Sequence, residues 1–89
     1  MSNLVFLPEG WDDYLYWQGQ DKKTLQKINR LLKDISRSAY SGMGKPEPLR
    51  DNMNGWWSRH IDDKNRLVYR IQENDNIEIA QCRGHYSDK

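Results

Sequence analysis

The residues that could do chemistry in this chain are one acid, one imidazole and several cations. Glu47 lies between two prolines, Arg66 begins a run of alternating residues, and His85 lies near the end. A carboxylate and an imidazole can act as base and acid, and a guanidinium can stabilise developing negative charge. These groups suffice to cleave RNA without a metal. A base activates the ribose 2′-OH, this oxygen attacks the adjacent phosphate, and an acid protonates the departing 5′-oxygen.

A structural interpretation of the same residues is equally open. Glu47 could form a salt bridge with a neighbouring arginine, and His85 could be a solvated residue of the chain end. Further cations that could contact a phosphate are Lys45, Arg50 and Arg59, and Tyr86 could stack on a base. Residue types and spacing do not decide between the two interpretations.

Metal and cofactor chemistry is not expected from this sequence. His60 and His85 are isolated, and Cys82 has no second cysteine at a ligand spacing. The glycines do not form a motif that cradles phosphates. The sequence therefore predicts neither a bound metal nor a cofactor.

Length and composition indicate one small domain over residues 1–89. The net charge is +1, so nucleic-acid binding would have to depend on local patches rather than on overall charge. A single cysteine fits a reducing compartment. Because no signal peptide or long apolar run is evident, we expect a cytoplasmic protein without a membrane partner.

The segment that carries Glu47, Gly42–Arg50, is expected to be a stiff loop. It contains two of the six glycines and two of the three prolines, so it is neither helix nor central strand. Lys45 and Glu47 each precede a proline, which restricts their backbones. Such a loop can hold a side chain in place without regular structure.

Two helices are predicted ahead of this loop. Leu4–Leu7 is a short apolar run that predicts a first strand buried on both faces, and Pro8 suits the first turn of a helix. Asp21 is a good N-cap for a second helix. The apolar stripe of that helix consists of Leu25, Ile28, Leu32 and Ile35.

Three short strands follow the loop, at about residues 56–61, 66–71 and 77–83. Their short connections predict antiparallel hairpins. In the middle strand, alternation sends Leu67, Tyr69 and Ile71 toward the helices and leaves a cationic face opposite. The order β-α-α-β-β-β predicts an α+β domain with two helices on one face of a mainly antiparallel sheet.

A basic stripe follows the second helix on the side opposite its apolar stripe. It is explained either as an ordinary solvated face or as a surface that contacts phosphates. Its members are Lys23, Lys27, Arg30, Lys33 and Arg37.

Several unusual strings occur in an order that resembles the YoeB toxin family, within the RelE/ParE superfamily of bacterial toxin–antitoxin systems. The resemblance runs from about Trp11 to Tyr86 and rests on five segments. These are Trp11–Gln18, Gly44–Leu49, Trp57–Arg59, Arg66–Tyr69 and His85–Tyr86.

The resemblance implies a RelE-like toxin that cleaves mRNA in the ribosomal A site and so arrests translation. It implies that Glu47 is the general base, Arg66 the transition-state cation and His85 the general acid. The products would be a 2′,3′-cyclic or 3′-phosphate and a 5′-OH. The resemblance also implies a cognate YefM-like antitoxin and a tendency to form homodimers.

The resemblance extends these expectations to the residues around the site. Tyr86 would help to orient RNA, and the basic stripe would contact ribosomal RNA. Expected contacts to the RNA substrate come from Lys45, Arg50, Arg59, His60 and Tyr86.

The chain departs from the family pattern in two places. His60 stands where an arginine is expected, and residues 87–89 form a short tail past the usual terminal tyrosine. Two other functions remain open, a gyrase poison of the ParE type and a non-catalytic RNA-binding module. The gyrase-poison branch should lack the Glu/Arg/His set.

Overall fold

The structure, a computed structural model, describes residues 2–85. They form five strands, two α-helices and a short 3-10 helix at Asp51–Met53. The predicted α+β class and element order are confirmed, and a two-residue strand is added in the proline-rich loop. The elements are β1 (Leu4–Phe6), α1 (Pro8–Gln20), α2 (Lys22–Arg37), β2 (Glu47–Pro48), β3 (Trp57–His60), β4 (Arg66–Ile71) and β5 (Ile77–Gln81).

The strands form one sheet in the order β1-β5-β4-β3-β2. Every pair is antiparallel except β1 and β5, which run parallel. The prediction that the first strand is buried on both faces is wrong. β1 is an edge strand with one neighbour, and Leu4 is 46% exposed.

The apolar stripe of α2 forms the core with the sheet. It packs in one cluster with Leu67 and Tyr69 of β4, as alternation along that strand predicts. Burying one such aliphatic side chain contributes about 1.5–3 kcal/mol. Neither helix of residues 2–85 is long and apolar enough to span a membrane. The stripe's predicted members are buried or partly buried: Leu25, Ile28, Leu32 and Ile35.

Asp21 caps α2 as predicted. Its carboxylate accepts hydrogen bonds from the backbone N–H groups of Lys23, at 3.0 Å, and Thr24, at 3.3 Å. The same residue also ends α1, since its backbone is extended and its N–H bonds to the carbonyl of Trp17. One aspartate therefore makes the corner between the two helices.

The face of the sheet opposite the helices is only partly cationic. Val68 is fully buried there, and the charge of Arg70 is balanced by an ion pair with Glu78, its partner on β5. The guanidinium of Arg70 also lies 4.4 Å from the ring centre of Trp56. The predicted cationic face is thus confined to the end of β4 that begins at Arg66.

Arg59 is the largest fully buried side chain, and it joins the sheet to α2. Its Nη1 donates to the carboxylate of Asp34 at 2.5 Å and to the carbonyl of Met43 at 3.0 Å. Its Nε donates to the hydroxyl of Tyr69 at 3.2 Å. The guanidinium beside Asp34 holds the pKa of that carboxyl below its usual value, with help from the N–H of Met43. We call this arrangement the Arg59 clamp.

The clamp also fixes the chain that leaves α2. Nη2 of Arg59 donates to the carbonyls of Ser38 at 2.6 Å and Ser41 at 2.9 Å. The hydroxyl of Tyr69 donates to the carbonyl of Ala39 at 2.6 Å. The prediction that Arg59 contacts RNA does not fit this position, because its side chain has no exposed surface. The guanidinium of Arg59 faces the helices and donates its hydrogen bonds to carbonyls of the protein itself.

Replacing Arg59 with methionine should lower the free energy of unfolding by about 3–5 kcal/mol, since it leaves partly buried carbonyls and the carboxylate of Asp34 without their donor. Urea denaturation followed by tryptophan fluorescence measures the change. The matched control is Arg50→Met, at an exposed position, with an expected change within about 0.5 kcal/mol. Equal losses in the two variants would contradict the assigned role of the clamp.

Candidate active site

The strand register places three candidate residues on the outer face of the sheet, away from the helices. Glu47 pairs with Ser58, and His60 pairs with Arg66. Because paired residues point to the same side and alternate residues share a face, the side chains of Glu47, His60 and Arg66 share one surface. Arg59, one residue before His60, points the opposite way into the clamp.

Arg66 is held at the start of β4 by the preceding turn. Its Nη1 donates to the carbonyls of Asp62 at 2.6 Å and Asn65 at 3.1 Å. The carboxylate of Asp62 in turn accepts from the backbone N–H groups of Lys64 and Asn65. Both side-chain hydrogen bonds of Arg66 to described residues leave from Nη1, whereas a guanidinium has five donors in all. Donors therefore remain that can point at an anion.

His85 is brought to this surface through its neighbour Gly84. The N–H of Arg66 donates to the carbonyl of Gly84 at 2.9 Å, and the N–H of Gly84 donates to the side chain of Asn65 at 2.7 Å. The next residue, His85, is half-buried. The candidates for base, cation and acid thus come from three separate parts of the chain, and the bond between Arg66 and Gly84 places the backbone that precedes His85 beside the start of β4.

Helix α1 fixes the segment that leads to His85. Nε1 of Trp17 donates to the carbonyl of Cys82 at 2.8 Å, and the carboxylate of Asp13 accepts from the N–H of Cys82 at 3.0 Å. The guanidinium of Arg83 lies 3.7 Å from the ring centre of Tyr16. Three contacts over two residues restrict where the following residues can lie.

Glu47 projects from the sheet edge beside exposed cations. Lys45, Glu47 and Arg50 are all exposed, and within residues 2–85 Glu47 has no ion pair within 4 Å. The structural interpretation of Glu47 as a salt-bridge partner is therefore wrong for this part of the chain. The loop is anchored on either side of Glu47, by the bond from the N–H of His60 to the carbonyl of Gly44 and by buried Leu49.

Ser58 is an unusual neighbour of Glu47. It is fully buried, and its hydroxyl has no hydrogen-bond partner among the described residues. An unsatisfied buried hydroxyl costs about 1–3 kcal/mol, so it is uncommon outside functional sites. A polar group without a partner therefore lies directly across the strand pair from the candidate carboxylate.

The environment of His60 disfavours protonation of its imidazole. Burial lowers the pKa of His60 below its usual value, and the charges of Arg66 and Lys45 lower it further, while Glu47 and Asp63 act in the opposite direction. An arginine at this position would be charged at any accessible pH. The site therefore contains a proton acceptor where the family resemblance predicts a fixed cation.

The basic stripe of α2 lies on the helix side of the sheet, away from Glu47. Its members are exposed except for half-buried Lys27. Arg30, Lys33 and Arg37 line an open groove of about 290 Å³ together with Asp34 and Met43. The stripe and the candidate site are separate surfaces.

Two predicted features remain outside what the structure tests. Tyr86 and the tail at 87–89 lie outside residues 2–85. Within those residues, no three His, Cys, Asp or Glu side chains are grouped so that they could hold a metal ion.

Comparison with known proteins identifies the family of this chain. A family model described as "YoeB-like toxin of bacterial type II toxin-antitoxin system" matches residues 6–86. The chain belongs to the YoeB family of toxins. It is 52% identical to Toxin YoeB of Escherichia coli K12 over 83 residues, which is 93% of this chain and 98% of that protein.

Solved structures of YoeB proteins have the same fold. A YoeB/ParE toxin from Agrobacterium tumefaciens is 44% identical, with a TM-score of 0.92 over 94% of this chain and 99% of that one. A YoeB dimer from Staphylococcus aureus is 46% identical, with a TM-score of 0.88 over 96% and 98%. YoeB in a heterotetrameric YoeB–YefM toxin–antitoxin complex from the same organism has the same identity and score over 97% and 99%.

Sequence reasoning missed the Arg59 clamp in this YoeB-family chain. The available signal was Asp34, an acid beside the basic stripe, between Lys33 and Ile35. An acid there pairs with whatever cation packs against the helix, but the sequence does not show that this cation comes from a strand 25 residues away. Only the packing of β3 against α2 makes the partner evident.

The lowered pKa of His60 makes stability depend on pH. The unfolded chain, in which a histidine has a pKa of about 6.5, takes up the proton first as the pH falls. The free energy of unfolding should therefore decrease from about pH 7.5 to about pH 5.5, and less so in His60→Gln. Urea denaturation at both pH values measures this, with exposed Gln26→Ala as control. An equal pH dependence in wild type and His60→Gln would contradict the environment assigned to His60.

Proposed function

We propose that this toxin is an endoribonuclease that cleaves mRNA in the ribosomal A site by metal-independent attack of a ribose 2′-OH. The observation that carries the proposal is the meeting of Glu47, His60 and Arg66 on one face, with His85 joined to that face through Gly84. This set contains groups to remove a proton, to stabilise a phosphorane and to return a proton.

In the proposed reaction, the carboxylate of Glu47 acts as the general base and accepts the proton of the 2′-OH. The 2′-oxygen attacks the adjacent phosphorus, and Arg66 stabilises the charge that develops on the phosphoryl oxygens. His85, in its protonated form, donates a proton to the 5′-oxygen as the P–O5′ bond breaks. The products are a 2′,3′-cyclic phosphate, which can open to a 3′-phosphate, and a 5′-OH.

The surroundings of these groups suit an RNA substrate. Lys45 and Arg50 are exposed cations on either side of Glu47, available to phosphates next to the scissile one. We also assign His60 and Tyr86 to RNA contact, the latter by family resemblance. Because Lys45, Glu47 and Arg50 are exposed and form no ion pair among the described residues, bound RNA on the ribosome would supply much of the order that the reaction requires.

The proposed partners are a YefM-like antitoxin, a second copy of the chain and the ribosome. The antitoxin and the homodimer are supported by the Staphylococcus aureus YoeB–YefM complex and YoeB dimer. The ribosome contact is assigned to the basic stripe, because its groove offers three cations to phosphates on a surface separate from the site. We expect the protein to act in the bacterial cytoplasm, where the ribosomes are.

Replacing Glu47, Arg66 or His85 by alanine should each slow mRNA cleavage on programmed ribosomes by about 10²-fold or more. Single-turnover assays with end-labelled mRNA measure the rate. Glu73→Ala, at an exposed acid in the turn after β4, is the control and should cleave at the wild-type rate. Three variants that all cleave like wild type would refute the assignment.

The same assay separates the other two functions. A product with a 5′-OH and a 2′,3′-cyclic or 3′-phosphate end requires attack by the 2′-OH. Intact mRNA with trapped DNA breaks would instead indicate a gyrase poison. Ribosome binding without cleavage or DNA breaks would indicate a non-catalytic binding module.

Reversing two charges of the basic stripe, in Arg30→Glu/Lys33→Glu, should weaken ribosome binding. The slope of log K against log salt should become shallower by roughly 0.7–0.9 for each phosphate that the stripe no longer neutralises. Cleavage at saturating toxin should stay unchanged because the stripe is remote from the site. Binding is measured by ribosome pelleting, and Lys22→Glu, outside the groove, is the control. An unchanged salt slope would indicate that the stripe is an ordinary solvated face.

A further inference from the structure

Tyr40 is an exposed aromatic side chain on a fixed backbone. Of the large hydrophobic side chains in residues 2–85, it is the most exposed, at 54%. Nη2 of Arg59 donates to the carbonyl of Ser41, the residue that follows Tyr40. The hydroxyl of Tyr69 donates to the carbonyl of Ala39, the residue that precedes it. Because the clamp already holds this backbone, a ligand that covers the ring has little further ordering to impose.

The ring of Tyr40 rests on a tryptophan of the sheet. Its centre lies 4.7 Å from the centre of the Trp57 ring, and the two planes are inclined at 42°. Trp57 is half-buried against the core, and it shares the helix side of the sheet with Arg59 because alternate residues of a strand share a face. The ring of Tyr40 therefore has a supported orientation on the helix side, and its exposed surface is one on which a flat group can stack.

The groove of the basic stripe lies next to this ring along the chain. Arg37, three residues before Tyr40, and Met43, three residues after it, both line the groove. Three residues span at most about 11 Å. Nη1 of Arg59 donates to Asp34 and to the carbonyl of Met43, both in the groove wall. Since Nη2 of the same side chain holds the segment of Tyr40, one guanidinium fixes the ring and the groove relative to each other.

A cationic groove beside an exposed ring suits a nucleic acid better than a protein partner. Cations hold phosphates without regard to sequence, and an aromatic face stacks on a base that has left its helix. The centre of a protein–protein interface is depleted of charge. Apart from Met43, by contrast, each residue that lines the groove is charged, and three of these four are cations.

We propose that Tyr40 stacks on an unpaired base of ribosomal RNA whose neighbouring phosphates lie in the groove of the basic stripe. This inference rests on the proposed function, in which the stripe contacts the ribosome, and it adds a contact that does not depend on charge. The stripe alone would bind any polyanion, whereas a ring at a fixed place selects RNA that presents a splayed base there. Tyr40 would therefore determine specificity for the ribosome.

Three variants at position 40 separate stacking from other contacts. Ribosome pelleting measures the affinity of wild type, Tyr40→Ala, Tyr40→Leu and Tyr40→Phe for purified bacterial ribosomes. Tyr40→Ala should bind about 5- to 150-fold more weakly, the effect of losing one base stack. Tyr40→Leu should lose nearly as much, because it keeps an apolar group on Trp57 without a flat face. Tyr40→Phe, the matched control, should bind like wild type, and thermal melting checks that each variant is folded.

The salt dependence distinguishes this contact from a phosphate contact. A base stack releases no counterions, so the plot of log K against log salt for Tyr40→Ala should lie parallel to that of wild type. In Arg30→Glu/Lys33→Glu, by contrast, the slope itself should change. Chemical probing of ribosomal RNA at saturating toxin should reveal an unpaired base that wild type and Tyr40→Phe protect and that Tyr40→Ala leaves accessible.

Wild-type affinity for ribosomes in Tyr40→Ala or Tyr40→Leu would overturn the inference. A shallower salt slope in Tyr40→Ala would also overturn it, since the lost contact would then be to phosphate. Weaker binding of Tyr40→Ala to a purified YefM-like antitoxin, with ribosome binding unchanged, would assign the ring to a protein partner. In all these cases mRNA cleavage by the wild-type protein would leave the proposed function intact. Ribosome binding that depends on Tyr40, without any mRNA cleavage by wild type, would instead refute the proposed function.

Discussion

The fold depends on one buried guanidinium. Arg59 lies in the middle of β3 with no exposed surface, and it satisfies a carboxylate of α2 and several carbonyls of the segment that follows that helix. A buried charge is tolerated only when its donors are all used, so the acceptors must be where the arginine is. Sheet, helix and connecting segment are therefore fixed relative to one another by the same side chain.

This clamp determines where the outer face begins. The segment fixed by Arg59 ends at Met43. The carbonyl of the next residue, Gly44, accepts a hydrogen bond from the N–H of His60, and the chain then enters the strand that carries Glu47. Gly44 has φ of 83°, and a Cβ there would lie 2.8 Å from the side chain of Leu31. Only glycine allows the chain to turn this close to α2. The inward-facing arginine and the outward-facing histidine next to it are consequences of one strand geometry.

The two faces of the domain carry different charge arrangements. On the helix side the cations form an open groove. On the outer face, by contrast, Arg70 is paired with Glu78, and Arg66 partly satisfies turn carbonyls. The first arrangement suits binding along a polyanion, and the second suits a single anion held at a defined point. This division supports the proposed separation of ribosome binding from cleavage in this chain.

The sequence by itself determined the elements and the residue types of the site. Periodicity located the core face of α2 and the limits of β4, and Asp21 was identified as a cap, because these depend on contacts within a few residues. Family resemblance supplied the roles proposed for Glu47, Arg66 and His85. Tertiary structure alone decided that Arg59 is inside and His60 outside, that β1 is an exposed edge, and that Glu47 has no ion pair among the described residues. These properties depend on strand register and on partners distant in the chain, which local sequence patterns do not encode.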